Sequence, residues 1–144
     1  MESTQAPFEK DFVAQLIPQK FPFVMVDKMY AYSETSVTSG LTVTEDNIFC
    51  FGGKFQESGL IEHMAQTVAL HTGYQFFLRK EPAPTGYIGS IKEIQIETLP
   101  KLGEAIQTTV TILQEFAGIT LVDITTTRNG AEIAKGQMKT VLAQ

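Results

Sequence analysis

One cysteine, two histidines and no tryptophan in 144 residues leave little material for several kinds of chemistry. A lone Cys50 cannot close an internal disulfide, so a reducing, cytoplasmic setting is expected. No motif surrounds it, and it reads as a small packing residue rather than a nucleophile. The opening MESTQAPFEKDF has no apolar stretch of the signal-peptide kind. No run reaches the roughly 18 uninterrupted apolar residues of a membrane-spanning helix, so a soluble protein without a membrane partner is expected. Basic runs interleaved with aromatics are also missing, and the formal charge is -5. That balance argues against nucleic acid as a partner. Gly52-Gly53 lacks the further glycines and the Lys-Ser/Thr of a phosphate cradle, and suits a tight turn or a close backbone approach. His63 and His71, on one helical pattern, stand about 12 Å apart along the axis at ~1.5 Å per residue, too far to share a metal. No metal, nucleotide or other cofactor is expected.

Apolar residues are plentiful, at 43%, enough for one sizeable core and one domain over residues 1–144. Phe8, Phe12, Val13 and Leu16 fall at helical spacing until Pro18 stops the run. Residues 23–33 and 35–44, rich in Val, Thr, Tyr and Phe, read as a hairpin with its turn at Ser33-Glu34-Thr35. Residues 58–78 carry the long helical pattern, with Ser58 placed to cap its first amides and Pro82 and Pro84 to end it. Strands follow over 86–98, 104–116, 119–127 and 131–142. Asn129-Gly130 suits a two-residue hairpin turn between the last two, and Pro100 to Gly103 reads as the turn of an earlier pair. The class is α+β, an antiparallel sheet with one long helix.

On that helix, at about 100° per residue, Gln66, Ala69 and Gly73 share the side of Glu62. Ile61, Ala65, Val68 and Thr72 form an apolar stripe on one flank, and His63, Thr67, His71 and Tyr74 lie on the other. Glu62 therefore stands at a core edge, where lost hydration makes a carboxyl a candidate acid or base. The plainer alternative is an exposed glutamate in a first turn, stabilised by the helix dipole. Periodicity leaves both open.

Three segments carry a resemblance. LIPQKFPFVMVDKM (16–29) resembles the opening of the 3-hydroxyacyl-ACP dehydratases of fatty-acid synthesis, GLIEHMAQTVA (59–69) resembles their central-helix motif, and YIGSIKEIQIETLPKLGE (87–104) the strand and turn after it. The resemblance implies a hotdog fold, a sheet wrapped around one central helix, paired as a homodimer or with a paralogous hotdog subunit. It implies acyl-ACP or acyl-CoA substrates, with only the substrate's own pantetheine arm as auxiliary group. GLIEHMAQ and the short preceding loop also resemble dehydratase-like subunits of bacterial aryl-polyene pigment pathways.

In the resembled family a loop histidine removes the proton beside the thioester carbonyl and a helix carboxylate helps the hydroxide leave. Backbone amides near the helix start polarise the carbonyl. Glu62 matches the carboxylate. The loop is shortened, and Lys54 falls where the histidine stands in the family; an ordinary lysine is protonated at neutral pH and no base. His63, beside Glu62, is the candidate replacement, although neighbouring helix side chains diverge by about 100°. Gly53, Lys54 and Phe55 on the loop, Gly59 at the helix start and Gln66 are the expected substrate-binding positions. Three functions follow from the resemblance: a dehydratase using Glu62 and His63, a hotdog thioesterase using Glu62 alone, or an acyl-carrier-binding subunit without catalysis.

Overall fold

The computed structural model describes residues 8–143; the first seven positions, part of the segment read for a leader peptide, and Gln144 lie outside the described residues. The first helix, α1, is only Lys10–Gln15, with Val13 fully buried. Phe8 is not helical: it forms a bridge to Met29, each donating its N–H to the other's carbonyl at 2.8 and 3.0 Å. Strands β1 (Lys28–Ser33) and β2 (Ser36–Thr42) form the expected hairpin, but residues 23–27 are loop. They are apolar enough for a strand, yet the Phe23 carbonyl and both backbone groups of Met25 bond helix side chains, and only the Asp27 N–H reaches a neighbouring strand, at the Gly40 carbonyl.

A two-stranded hairpin, β3 (Cys50–Phe51) and β4 (Lys54–Phe55), leads into the long helix α2, Glu57–Leu78. Between its strands Gly52 and Gly53 take φ of 62° and 78°, the positive angles of a tight turn. Ser58 does not cap α2. Gln56 holds that position; its carbonyl accepts the Leu60 N–H at 3.0 Å, but its side chain bonds no helix amide, its N–H groups going to the carbonyls of Phe51 and Lys54 at 2.8 and 3.1 Å. Docking of the hairpin, rather than a capping hydroxyl, sets where the helix begins.

The helix also stops before its prolines. The Glu81 N–H reaches the Phe76 carbonyl and the Lys80 N–H the Phe77 carbonyl, with Lys80 at φ 58°. This is the Schellman arrangement, here built on a lysine where glycine is usual. Removing the left-handed penalty of roughly 1–2 kcal/mol outweighs glycine's added chain entropy, so Lys80→Gly is expected to stabilise the fold by about 0.5–1 kcal/mol. A raised urea midpoint would show it, and a lowered one would mean that the lysine side chain holds the cap.

Strands β5 (Gly86–Ile96), β6 (Ala105–Phe116), β7 (Ile119–Arg128) and β8 (Ala131–Leu142) complete an antiparallel sheet of order β1-β2-β6-β7-β8-β5. Asn129 and Gly130, at φ 54° and 81°, turn β7 into β8 as expected. Pro100 to Gly103 does not close a β5–β6 hairpin, a correction to the sequence reading. β5 pairs with β8 at the far edge while β6 pairs with β2 and β7, and the connecting segment is held on the β4 side by Phe55 N–H to the Pro100 carbonyl and Leu102 N–H to the Gly53 carbonyl. The sheet curls, so that α2 touches β2 and β6 and also the distant β5.

The flank of α2 bearing His63, Thr67, His71 and Tyr74 proves to be the one buried in the core, together with Leu60, Met64 and Leu70. Ile61, Glu62, Ala65, Ala69 and Thr72 are half-buried. Polar side chains mark the core face here because the sheet supplies their partners, which hydrophobic periodicity cannot register.

Candidate active site

Glu62, half-buried near the start of α2, borders a cavity of about 480 Å³. Half-buried Ala65, Ala69 and Thr72 and buried Val68 continue the wall along α2. Residues 15–19 close one side, and the start of β5 with the end of β8, through Tyr87, Ile88 and Leu142, close the other. Apolar side chains such as Leu16, Ile17, Val68, Ile88 and Leu142 share the lining in comparable measure with polar groups, among them Gln15, Gln19, Thr72, Thr85 and Thr140.

Gln66 fixes that carboxyl. Four residues on, it shares the face of Glu62 and its Nε2 donates to Glu62 Oε2 at 2.7 Å. The second Nε2 hydrogen goes to the Phe23 carbonyl at 2.8 Å, and Oε1 accepts the Met25 N–H at 2.6 Å. A backbone N–H can only donate, so the amide orientation is determined by its partners. Gln66, itself fully buried, thus locks both the glutamate and the 23–25 loop.

His63 points elsewhere. It is fully buried, its Nδ1–H donating to the Met25 carbonyl at 2.7 Å and its Nε2 accepting from the Thr108 hydroxyl at 2.8 Å. With its hydrogen committed to His63, Thr108 accepts from Thr126 at 2.6 Å. Thr67 donates to the His63 carbonyl at 2.8 Å and accepts from Ser39 at 2.7 Å. Burial pushes the His63 pKa down to about 4, against a smaller upward effect of the Met25 bond, so the ring is neutral at pH 7. His71, stacked on Tyr32 with Nε2 bonded to the Ser33 carbonyl at 2.8 Å, is likewise held below its ordinary value by burial. Neither histidine borders the cavity, so the structure does not bring Glu62 and His63 together at one reacting centre.

The remaining expected positions divide. Lys54 is exposed on β4 and Gly53 sits in the hairpin turn. Phe55 is fully buried and packs on Gly59, where a Cβ would collide with Phe49 and Phe55; both serve the hairpin's docking on α2, and neither borders the cavity. Sequence reasoning missed the carbonyls of Phe23 and Met25 and the hydroxyl of Thr108. Only the spacing of Glu62 and Gln66 announced any of this network. Among the described residues no cluster of His, Cys, Asp or Glu could hold a metal ion, and no helix is long and apolar enough to cross a membrane.

Comparison with known proteins adds a family. The ApeP-like family, ApeP dehydratase, matches residues 12–144. No curated protein matches the chain. Among solved structures, the dehydratase heterocomplex ApeI:P from Xenorhabdus doucetiae superposes with a TM-score of 0.87 at 18% identity, covering 98% of this chain and 93% of that one. A hypothetical thioesterase protein with coenzyme A from Streptococcus pneumoniae superposes at 0.63 and 12% identity, over 80% of this chain and 84% of that one. The PaaI protein of the E. coli phenylacetic acid degradation operon does so at 0.64 and 13%, over 78% and 80%.

Proposed function

Since the chain belongs to the ApeP-like dehydratase family, with the hotdog fold of its structural neighbours, we propose that it supplies the carboxyl of a 3-hydroxyacyl thioester dehydratase whose base comes from a partner subunit. Glu62 borders the cavity while both histidines of the chain are buried, bonded and turned away from it. That single observation carries the reading. The base takes the proton beside the thioester carbonyl, its electron pair forms the double bond, and the C3–O bond breaks. The departing hydroxide takes the Glu62 proton and leaves as water. His63 is then a positioning residue: it grips the Met25 carbonyl while Gln66 grips the Met25 N–H, and Gln66 in turn aims Glu62. The substrate is an acyl-ACP or acyl-CoA, and the setting cytoplasmic, in keeping with the single cysteine.

The partner has a place to bind. β5 is an outer strand whose only neighbour among the described residues is β8, and Tyr87, Ile88 and Ile91 on it are 61%, 39% and 43% exposed. Such an edge invites another strand, from a second copy or a paralogous hotdog subunit; the similar ApeI:P structure is a heterocomplex. Light scattering at micromolar concentration is expected to give a dimer or larger species. A single species at the 15.9 kDa of one chain, unchanged when a hotdog paralogue is added, would contradict the reading.

A thioesterase reading has one observation in its favour, a helix carboxylate standing at the cavity without a histidine. Offering one preparation both 3-hydroxyacyl and saturated acyl thioesters separates the two. Enoyl product from the first supports dehydration; free thiol from the second, with no enoyl product, supports hydrolysis.

A further inference from the structure

The chamber beside Glu62 runs along α2, where its wall passes from Glu62 through Ala65, Val68 and Ala69 to Thr72 and Gly73. At ~1.5 Å per residue that is about 16 Å of helix axis. An extended acyl chain, with carbon–carbon bonds of ~1.5 Å, advances about 1.3 Å per carbon, so about a dozen carbons beyond the reacting centre reach the far end. The walls at that end differ in how firmly they are held. Gly73 packs so closely on the Leu16 carbonyl that a Cβ has no room, which ties Leu16 to the helix. On the sheet side Gly86, Tyr87 and Ile88 are registered on Leu142, Val141 and Thr140. The remaining wall is Ala83, Pro84 and Thr85, in the segment that leaves the end of α2 and enters β5.

That segment is a strap fastened at its two ends. The N–H groups of Lys80 and Glu81 close the helix cap on one side. Pro82 and Pro84 have no N–H to give, and among the described residues the one backbone bond of residues 82–85 is at the other end, where the Thr85 carbonyl accepts the Ala143 N–H at 2.7 Å. A backbone with so few bonds moves at low cost compared with a helix or a strand ladder. Ala83 is exposed and Pro84 and Thr85 are half-buried, so lifting them uncovers little apolar surface. We propose that residues 82–85 are the movable end wall of the chamber and set the longest acyl chain it accepts. Chains that stop short of the strap bind without touching it, and longer ones lift it. The ligand class is a linear acyl chain on a thioester, which rests on the reading of the Glu62 chamber as an acyl site.

The test uses the full chain in its native assembly and non-hydrolysable amide analogues of acyl pantetheine thioesters with octanoyl, tetradecanoyl and octadecanoyl chains. The chain has no tryptophan, so Ala83→Trp places a single fluorescent reporter on the strap. Its emission is expected to stay unchanged on binding of the octanoyl analogue and to shift on binding of the octadecanoyl one. Thr85→Phe thickens the wall, and overpacking is felt only by a chain that reaches it. Dissociation constants for this variant are expected to show a loss at least about tenfold greater for tetradecanoyl than for octanoyl. An emission change that is the same for all three chains, or a Thr85→Phe loss shared equally by short and long ones, overturns the strap proposal. If Thr85→Phe does not fold, the reporter decides alone. The strap fails and the Glu62 reading stands if Glu62→Gln abolishes turnover while the reporter is blind to chain length. The reverse holds if the reporter separates the chains while Glu62→Gln turns over like the wild type. If no analogue binds the wild type, both fall together.

Discussion

Glu62→Gln is expected to lower turnover of a 3-hydroxyacyl thioester by ~100-fold or more, the scale for losing a positioned acid or base, while leaving the assembly folded. The exchange keeps the shape of the side chain and an oxygen for the Gln66 amide, which now donates at 2.7 Å. Only the transferable proton goes. Circular dichroism and light scattering should match the wild type, and the loss should fall on kcat more than on KM, because the acid acts in the transition state. In a thioesterase the same substitution would remove hydrolysis of saturated substrates instead. Robust wild-type turnover that Glu62→Gln leaves untouched would place the working chemistry elsewhere and leave the helix motif as a mark of ancestry.

Acid is expected to loosen the fold through His63. Its folded pKa of about 4 lies below the ordinary value of 6.5, so between the two the unfolded chain binds a proton that the folded chain refuses. The contribution is complete above pH 6.5 and is lost as the pH falls from there toward 4, amounting to about 3 kcal/mol in all and roughly 2 kcal/mol between pH 7 and pH 5. His71, also held low by burial, acts in the same direction. Asp27, whose carboxyl burial pushes up, acts oppositely, because its folded form takes up a proton at a higher pH than the unfolded one. Urea denaturation at pH 7 and pH 5 should therefore show a clear drop for the wild type. His63→Gln should begin less stable at pH 7, having lost bonds to Met25 and Thr108, but should fall less on acidification. Equal slopes for the two proteins would remove His63 as the source.

Much of this arrangement was legible in the chain and some of it was not, for identifiable reasons. The strand-like runs from Gly86 onward located the four long strands to within two residues at each end; in β6, β7 and β8 alternating buried positions declare the strand, whereas β5, with no buried residue, is marked by its isoleucines and by the turn residues that bound it. Asn129-Gly130 declared its turn for a similarly local reason, the positive angles that both residues adopt. Pairing is different: whether β5 meets β6 or β8 depends on a segment that anchors on β4, far away in sequence, so the hairpin at Pro100 to Gly103 was a local inference defeated by a distant contact. The start of α2 was misjudged likewise, since the Gln56 side chain acts through the β3–β4 hairpin and not as a cap on the helix amides.

Which flank of α2 the core takes was less legible. His63, Thr67 and His71 lie opposite the apolar stripe, and each is buried against a hydroxyl or carbonyl that only the fold brings near: Thr108, Ser39 and Ser33. Glu62 is half-buried where Ala65, Val68 and Thr72 line one continuous wall with it, a choice between core edge and exposed first turn that periodicity had left open. That His63 would be turned away from it follows from the divergence of adjacent helix positions, which was visible from the outset. What the ring would bond was not.

The strand order carries a further meaning for how the molecule assembles and opens. β6, β7 and β8 join through short turns and can zip from local contacts, whereas β5 must wait for β8, its register pairing Gly86 with Leu142 across most of the second half of the chain. Long loop closure is slow, and the strand that needs it joins late and leaves early. Gly86, Tyr87, Ile88 and Leu142 at that seam are also walls of the cavity beside Glu62. An opening of the β5–β8 seam would thus unlatch the chamber along its β5 side while the β6–β7–β8 core stays shut. If the proposed function holds, an acyl chain would have a lateral way in that does not require threading from one end, and a partner strand seated on β5 would hold that latch closed.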